Sequence, residues 1–437
     1  MKSTHSTTID VRPVALSLLL AVFLSTLLAP GVRAAGYALH EQGSRALGTA
    51  GAFAATADDP SAIFYNPAGL TGLDGTRFYG GVSPIVPKLV FGGASPYPGN
   101  GRIERFKTQV LFPIHAYVTT PLRRGVVGGI GISVPFGLAA AWEDPMEFSG
   151  RFISTDSSVR GVYVTPTVAA EVTPTISLGV GLNVIFADAA LHRNIPLFGF
   201  DSGTNELIDL ATLELQGDIT VDFSFNAGLL YKGERWRLGL TYRHGNLNEI
   251  EGDVFFDYIE TGDAATDSVL SARVPSNQRG QANVPFPATG TLGLALRLSE
   301  RFEIETNLIW TDWSAFDVLP LTFEDAELNT TIEEDYDDTL TLRSGIRYKA
   351  GEKLELRAGY YVDDAPAPTA SVGPILPDSR RHGGTIGFGY THERWRLDLF
   401  EMLLFFEEAN IRDNRDNFNG DYSQRGWLSG VSVGYAF

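Results

Sequence analysis

One short pattern in the chain has the residue types and spacing of a hydrolase nucleophile. Gly430-Val431-Ser432-Val433-Gly434 fits the Gly-x-Ser-x-Gly pattern, in which a serine sits on a sharp turn between a strand and a helix. Here the pattern lies on an alternating terminal strand, and no motif pairs a His with the serine. The pattern therefore predicts a β-strand, and we expect the protein not to be an enzyme.

Metal and redox chemistry also lack candidate residues. The chain has no Cys, and its seven His are scattered without the spacing of a metal site. Asp413 to Asp421 could hold a cation loosely, but a solvated loop is the favoured interpretation. We predict neither a cofactor nor a metal. The net charge of −18 argues against nucleic acid as a partner, because phosphate binding requires clustered Lys and Arg.

The first residues have the composition of a secretory signal peptide. Lys2 and Arg12 supply a basic region, and Val14 to Ala29 is an apolar core of signal length. Val32-Arg33-Ala34 offers small residues at a cleavage site, so we predict a signal peptide over 1–34. The alternative is an uncleaved anchor, which the short apolar run and the Pro30-Gly31 break disfavour.

Alternation of apolar with small or polar residues recurs throughout the rest of the chain. Ile219, Val221, Phe223 and Phe225 form one face of such a segment. Tight turns alternate with long polar loops, for example at 189–216, and this is typical of outer-membrane barrels. A soluble β-sandwich has the same period but does not explain the turn pattern. We predict an all-β fold with fourteen antiparallel transmembrane strands over 76–437.

Residues 35–75 precede the first predicted strand and differ from the rest. They are rich in Gly and Ala, alternate poorly and are too broken for a long helix, which predicts a compact plug. The segment resembles the hatch of the FadL family, outer-membrane barrels that import long-chain fatty acids and other hydrophobic compounds. The matching residues are Gly36-Tyr37, Ala46-Leu47-Gly48, Ala57-Asp58-Asp59 and the hatch motif Asn66-Pro67-Ala68.

The resemblance extends over the whole mature chain, because further motifs follow in order. They are Leu240-Thr241-Tyr242-Arg243, the Trp310–Asp317 segment, Asp363–Pro368 and Leu376–Arg381. The resemblance implies a 14-stranded antiparallel β-barrel with an N-terminal hatch inside the lumen. The predicted domains are a signal peptide over 1–34, a hatch over 35–75 and a barrel over 76–437.

The third predicted strand, 125–140, is rich in residues that weaken a β-ladder. Proline lacks an N–H donor, and glycine tolerates bulges. We expect this strand to be kinked, and the resemblance implies that the kink opens a lateral gap in the wall; the alternative is an ordinary strand ending at Pro135. The residues of the predicted gap are Gly128, Gly129, Gly131, Pro135 and Gly137.

The resemblance also implies where a ligand binds. It places a lumen pocket near the start of the hatch, at Ala35, Gly36 and Tyr37, and a hydrophobic landing groove in an outer loop carrying Phe198 and Phe200. The apolar residues Leu207 to Leu215 of the same loop have spacings compatible with a short amphipathic helix; the alternative is a loop packed on itself.

Basic residues in the pocket would meet a carboxylate, as the resemblance implies for carriers of fatty acids. The candidates are Arg193 and Arg243, with Arg343 as a third. Asp188 and the acidic run 333–338 depart from that pattern. The alternative is that these arginines are structural charges in the lumen, paired with Asp or Glu.

Together these observations predict an outer-membrane protein for passive uptake of long-chain fatty acids or other hydrophobic compounds. The expected partners are the hydrophobic ligand, outer-membrane lipid and lipopolysaccharide, and the barrel-insertion machinery, which would read the last strand ending in Phe437. We expect a monomer. The alternatives are a general porin for small polar solutes, which would have no plug, and a structural or adhesive surface barrel, which would have no ligand pocket.

Overall fold

The computed structural model describes residues 36–197 and 209–437. The predicted signal peptide, Ala35, Phe198 and Phe200 lie outside the described residues. Within the described ranges, no helix is long and apolar enough to cross a membrane.

One antiparallel sheet of 22 segments closes on itself to form a barrel of fourteen wall strands, which confirms the predicted fold. Closure occurs where β1 pairs with the last segment, β22, on one side and with β4 on the other. The segments are β1 Arg77–Val82, β2 Ile85–Gly93, β3 Ile103–Arg105, β4 Ile114–Arg123, β5 Val126–Ala141, β6 Asp156–Thr173, β7 Ile176–Pro196, β8 Asp209–Gly217, β9 Thr220–Lys232, β10 Trp236–Arg243, β11 Asn246–Tyr258, β12 Gln278–Phe286, β13 Thr289–Arg297, β14 Phe302–Thr311, β15 Val318–Phe323, β16 Thr330–Glu333, β17 Thr339–Lys349, β18 Leu354–Asp363, β19 Arg381–His392, β20 Trp395–Phe406, β21 Ala409–Ile411 and β22 Gly420–Ala436.

Helices are short and lie in the N-terminal segment and the loops. The α-helices are α1 Ser44–Leu47, α2 Ala62–Tyr65 and α3 Ala264–Leu270, and the 3-10 helices span Pro67–Gly72, Ser271–Arg273, Trp313–Ala315 and Ala326–Leu328.

The alternation seen in the sequence separates a lipid face from a lumen face. In β9, the Phe223 side chain is 58% exposed on the outside, while Ser224 and Asn226 are buried toward the lumen. Asn183 of the neighbouring strand donates to the Ser224 hydroxyl at 3.0 Å. Apolar side chains outside and hydrogen-bonded polar ones inside are what a membrane-spanning strand requires.

Residues 36–75, here called the N-terminal segment, lie inside the barrel. Its residues bind side chains or backbone around the whole circumference of the wall. The contacts include Ser44 to Ser432 of β22, Asn66 to the Leu229 carbonyl of β9, Ala55 to Glu305 of β14, Ala50 to Arg343 of β17 and Leu47 to Thr385 of β19.

Glycines on the inner face of the wall make room for the N-terminal segment. A Cβ added at Gly387 would lie 2.6 Å from the Cα of Gly48, and one at Gly359 would lie 2.5 Å from the carbonyl carbon of Thr49. Both distances are too short for carbon atoms, so only glycine fits. We call the glycines that contact this segment the glycine collar: Gly179, Gly228, Gly239, Gly293, Gly345, Gly359 and Gly387.

Ion pairs also hold the N-terminal segment against the wall. Arg45 binds Asp58 within the segment at 2.6 Å and Glu355 of β18 at 3.4 Å. Arg347 of β17 reaches the same Asp58 at 3.2 Å. Because Arg45 and Arg347 are buried, these ion pairs fix the position of the N-terminal segment against the wall.

The outer region 189–216 differs from the prediction. The described part is not an amphipathic helix but strand β8, which pairs with β7 on one edge and β11 on the other. Leu213 and Leu215 are both buried on one face, as the strand period of two requires. The sequence suggested a helix because leucines at mixed spacings satisfy both periods.

We expect Gly387→Val to displace the N-terminal segment, because its side chain would collide with the backbone of Gly48. The matched control is Gly384→Val on the same strand, where an added Cβ meets nothing within 4 Å. Overpacking of this kind typically costs about 1–3 kcal/mol. Planar-bilayer recordings should show raised ion conductance for Gly387→Val and parental conductance for Gly384→Val. Equal conductance of both variants would contradict a packed collar.

Candidate functional site

The third wall strand, β5, is paired with its neighbour over only part of its length. Its ladder with β4 runs from Val126 to Ile132, where Ile132 pairs with Ala116. The ladder with β6 shifts register between Ser133 and Phe136. The second wall strand consists of β3, β4 and the residues between them. Its backbone pairing with β5 resumes at Ala141, whose carbonyl accepts from the Lys107 N–H at 2.8 Å, and the Gln109 side chain donates to the Ala139 carbonyl at 2.9 Å. Between Ile132 and Ala141 the backbone pairing of the wall is interrupted.

The start of the N-terminal segment lies along this interruption and pairs with the free edge of β5. The Leu39 N–H donates to the Pro135 carbonyl at 2.7 Å, and the Gly137 N–H donates to the Tyr37 carbonyl at 2.9 Å. The Gln42 amide binds both backbone groups of Val134, at 2.7 and 3.0 Å. The segment therefore supplies hydrogen bonds that a neighbouring wall strand would otherwise make.

Of the five residues of the predicted gap, Pro135 and Gly137 lie in the interruption, whereas Gly128, Gly129 and Gly131 lie in the paired part of β5, opposite Thr120, Thr119 and Tyr117 of β4. A Cβ added at Gly129 or at Gly131 would lie 3.0 Å from the Ile63 side chain of the N-terminal segment. A Cβ added at Gly137 would lie 2.8 Å from the Leu39 side chain. Gly128 faces the other way, toward Leu122 on the lipid side. Pro135 has no N–H to donate, and its carbonyl accepts a hydrogen bond from the Leu39 N–H.

Tyr37 lies beside the interruption in an aromatic chamber, formed by Tyr37, Phe136, Phe286, Trp313 and Phe316. The Tyr37 ring meets the other four edge-on, with centroid distances from 4.9 Å for Trp313 to 6.3 Å for Phe286. Its hydroxyl donates to the Pro285 carbonyl. The Tyr37 ring therefore fills an apolar space enclosed by four other aromatic rings.

Gly36 is placed by the same chamber. Its φ of +41° lies in the left-handed region, and an added Cβ would be 2.5 Å from the Trp313 indole. Glycine therefore allows the backbone to pass directly against the tryptophan. The structure thus brings two predicted pocket residues, Gly36 and Tyr37, together with the predicted gap.

Buried acidic groups in the outer loops cover the aromatic chamber. Tyr336 packs on Phe316 at 4.9 Å, and Glu334 precedes it in the same loop. Burial raises the pKa of Glu334 to about 8, against the opposing attraction of Arg415. Burial likewise raises the pKa of Asp378 to about 8, against Arg381 and the Gly36 backbone. Both carboxyls are therefore largely neutral at pH 7.

Arg243 lies in the lumen between the wall and the N-terminal segment. It donates to the Phe64 carbonyl at 3.0 Å, and its guanidinium lies 4.2 Å from the Phe64 ring centroid. Among the described residues it makes no ion pair, and its buried Nε has no hydrogen-bond partner. It lines a cavity of about 40 Å³ with His40 and Asn226. A half-buried cation without a carboxylate partner is suited to an incoming anion.

The other candidate arginines lie elsewhere. Arg193 is in the outward continuation of β7, opposite Leu213, and is not part of the aromatic chamber. Arg343 is buried under the N-terminal segment, where it donates to the Ala50 carbonyl at 2.9 Å and stacks on Tyr361 at 4.2 Å. Its contacts are those of a structural residue.

The predicted hatch motif fixes the path of the N-terminal segment. The Asn66 amide donates to the carbonyls of Ala54, at 2.7 Å, and Leu229 of the wall, at 3.2 Å, and its oxygen accepts from the Ala68 N–H. Asn66 thereby caps the 3-10 helix Pro67–Gly72. All three motif residues are buried.

Several site residues had no signal in the sequence. Gln42 and Leu39 pair with β5 but belong to no periodic pattern, and Phe286 ends a strand far away in the chain. Tyr37, Trp313 and Phe316 fall within motifs that the resemblance singled out. Within 36–197 and 209–437, no group of His, Asp or Glu residues could hold a metal ion.

The loop packing over the aromatic chamber should loosen as pH rises. A carboxyl whose folded pKa is raised contributes stability that is complete below its ordinary pKa, near 4, and is lost as pH rises through about 8. Hydrogen exchange of the loops containing Glu334 and Asp378, corrected for intrinsic rates, should be faster at pH 9 than at pH 5. The Glu334→Gln, Asp378→Asn double variant should lose that dependence; if it keeps it, other groups are responsible.

The whole length of the chain matches known outer-membrane proteins. The family model described as "Outer membrane protein transport protein (OMPP1/FadL/TodX)" matches residues 25–437. A long-chain fatty acid transport protein of Escherichia coli O6:H1 is 23% identical over 431 residues, covering 92% of this chain and 94% of the relative. Outer membrane protein P1 of Haemophilus influenzae is 25% identical and covers 94% and 97%.

Solved structures have the same fold. A Pseudomonas aeruginosa FadL homologue superposes with a TM-score of 0.81 at 21% identity, covering 92% of this chain and all of that one. The Pseudomonas putida toluene transporter TodX gives a TM-score of 0.70 at 17% identity, covering 91% and 99%. With its closed barrel and a family match over nearly its full length, the chain belongs to the OMPP1/FadL/TodX family of outer-membrane transport proteins.

Proposed function

We propose that this protein takes up hydrophobic molecules passively across the outer membrane and releases them sideways through the interruption in β5. One observation carries the proposal: β5 has no backbone pairing with the second wall strand between Ile132 and Ala141, and the part of the N-terminal segment that pairs with β5 there also carries Tyr37. Displacement of Tyr37 from the aromatic chamber would therefore be transmitted directly to the backbone pairs that cover the opening.

The relatives support the class of ligand. One is named for long-chain fatty acids and another for toluene, so the family includes both an anionic and a neutral hydrophobic compound. The aromatic chamber is suited to apolar ligands of either type, and Arg243 would serve an anionic head group. The ligand would land on the outer loops, where Phe198 and Phe200 were predicted, then replace Tyr37 in the chamber.

Lateral release follows from the chemistry of the ligand. An apolar molecule gains free energy by moving from the chamber into lipid, whereas passage into water costs about 25 cal/mol for each Å² exposed. Unpaired backbone at membrane depth is tolerated only when protein covers it or when it lines a passage. While Leu39 and Gln42 are in place, protein would cover the unpaired backbone of β5. When they move, the same backbone would line the passage.

The two alternatives account for less of the structure. A porin for polar solutes does not explain a lumen occupied by the N-terminal segment, and an adhesive barrel does not explain an aromatic chamber beside a wall interruption. We further propose that the protein acts as a monomer. The last strand would be read by the insertion machinery through Phe437, which is 68% exposed next to Tyr435.

Fixing the N-terminal segment to β5 should block uptake. Ala38 and Phe136 are partners in an antiparallel bridge, and the chain contains no Cys, so an Ala38→Cys, Phe136→Cys variant permits a single disulfide. Oxidised cells should fail to take up labelled ligand, and reductant should restore uptake. Each single variant controls for loss of the native side chain. Uptake through the oxidised barrel would show that release does not require this segment to leave β5.

Arg243 should determine affinity for anionic ligands only. A charge-assisted hydrogen bond contributes about 1.5–3 kcal/mol, so Arg243→Met should weaken fatty-acid binding by roughly ten- to a hundredfold. Toluene binding should be unchanged. Arg193→Met serves as the matched control and should bind both ligands as the parent does. Calorimetric titration of the purified variants measures the affinity for the fatty acid and for toluene. Parental fatty-acid affinity in Arg243→Met would show that the carboxylate binds elsewhere.

A further inference from the structure

Four cations lie together on the lipid-facing side of the barrel near its outer end. They are exposed, while the residues next to them in the chain, such as Leu89 and Phe106, turn inward and are less exposed. The four residues, here called the outer-wall basic cluster, are Lys88, Arg105, Lys107 and Arg425. They come from three neighbouring wall strands: β2, the second wall strand at β3, and β22, which is distant in sequence from the other two.

The sheet register places these cations side by side. Lys88 is directly opposite Arg425 in the ladder between β2 and β22. Arg105 is opposite Val90 in the ladder between β2 and β3. The Phe106 N–H donates to the Leu89 carbonyl at 3.1 Å, so the pairing continues by one residue beyond β3. Lys107 therefore lies next to Lys88. Like charges directly opposite one another destabilise a sheet, since their Cβ atoms are only about 4.5–5.5 Å apart.

None of the four cations takes part in an ion pair within the described chain, although the protein as a whole carries a net charge of −18. Acidic residues on the same strands have other partners: Glu104 binds Ser149 at 2.6 Å, and Asp421 binds Arg412 at 2.7 Å. The exposed Glu143 lies across the ladder from Arg105, since its N–H donates to the Arg105 carbonyl at 2.9 Å. One carboxylate therefore faces four cations, and the cluster keeps a local excess of positive charge.

The cluster stands at the height of the outer membrane boundary. Lys88 is eleven residues beyond Arg77, where the first strand begins at the periplasmic end. With a rise of about 3.3 Å per residue and a tilt of about 40°, Lys88 lies roughly 28 Å above that end, just past an apolar band about 25 Å tall. Exposed apolar side chains lie on the same wall strands on the periplasmic side of the cluster, including Val110, Phe112 and Trp427.

We propose that the outer-wall basic cluster binds the phosphates of lipid A in the outer leaflet, with its acyl chains lying on the apolar wall below. Three adjacent strands spread the cations over about 10 Å, since strands are about 4.8 Å apart. This breadth suits a headgroup with two phosphates better than a glycerophospholipid with one. The site lies on the outside of the wall at the outer end of the interruption, where the Lys107 N–H donates to the Ala141 carbonyl, and its test measures lipid binding rather than uptake.

Native mass spectrometry of the detergent-purified protein with bisphosphorylated lipid A tests the proposal. The parent should bind lipid A at least about tenfold more tightly than phosphatidylglycerol, because two phosphates meet the cluster rather than one. The Lys88→Met, Arg425→Met variant should lose about tenfold in lipid A affinity. Arg235→Met, Arg297→Met removes two exposed cations at the periplasmic rim and should bind as the parent does.

Barrel folding is checked separately by heat-modifiable electrophoretic mobility. If Lys88→Met, Arg425→Met does not fold, Arg105→Met, Lys107→Met removes the other half of the cluster and should show the same loss. Equal affinity of the parent for lipid A and phosphatidylglycerol would overturn the proposal. So would parental lipid A binding by a folded variant of either pair.

Discussion

The hydrogen-bonding demand of the backbone inside a membrane is the constraint on which this structure depends. A barrel satisfies it by pairing every strand with two neighbours. In β5 that pairing with the second wall strand stops after Ile132, and the missing partners are supplied from inside by Leu39, Gln42 and Tyr37. The N-terminal segment is thus part of the wall as well as the content of the lumen.

The N-terminal segment divides into a firmly held part and a lightly held part. From Ser44 onward it is fixed by the glycine collar, by Asn66 and by the ion pairs of Arg45. Residues 36–42 are held mainly by the Gln42 amide, a few backbone bonds and the packing of Tyr37. Motion is therefore expected in the short arm beside β5, while the rest of the segment stays in place.

The sequence predicted what depends on local pattern. Alternation in stretches such as Val221 to Phe225 indicated lipid-facing strands, and Pro135 among glycines indicated a weak ladder in β5. Contacts between distant residues left no such signal. No pattern in the neighbouring residues predicts that Gly387 packs against Gly48, or that Phe286 packs against Tyr37. The leucines of β8 misled because their spacing fits a helix as well as a strand.

The closing seam of the barrel has a consequence for the order of assembly. Ser44 bonds to Ser432 of β22, and the Arg45 N–H bonds to Tyr79 of β1, so the N-terminal segment binds both strands that meet at the seam. Because both seam strands bind adjacent residues of the segment, a seated segment brings these two strands together. We therefore expect closure of the wall to depend on the N-terminal segment being in place.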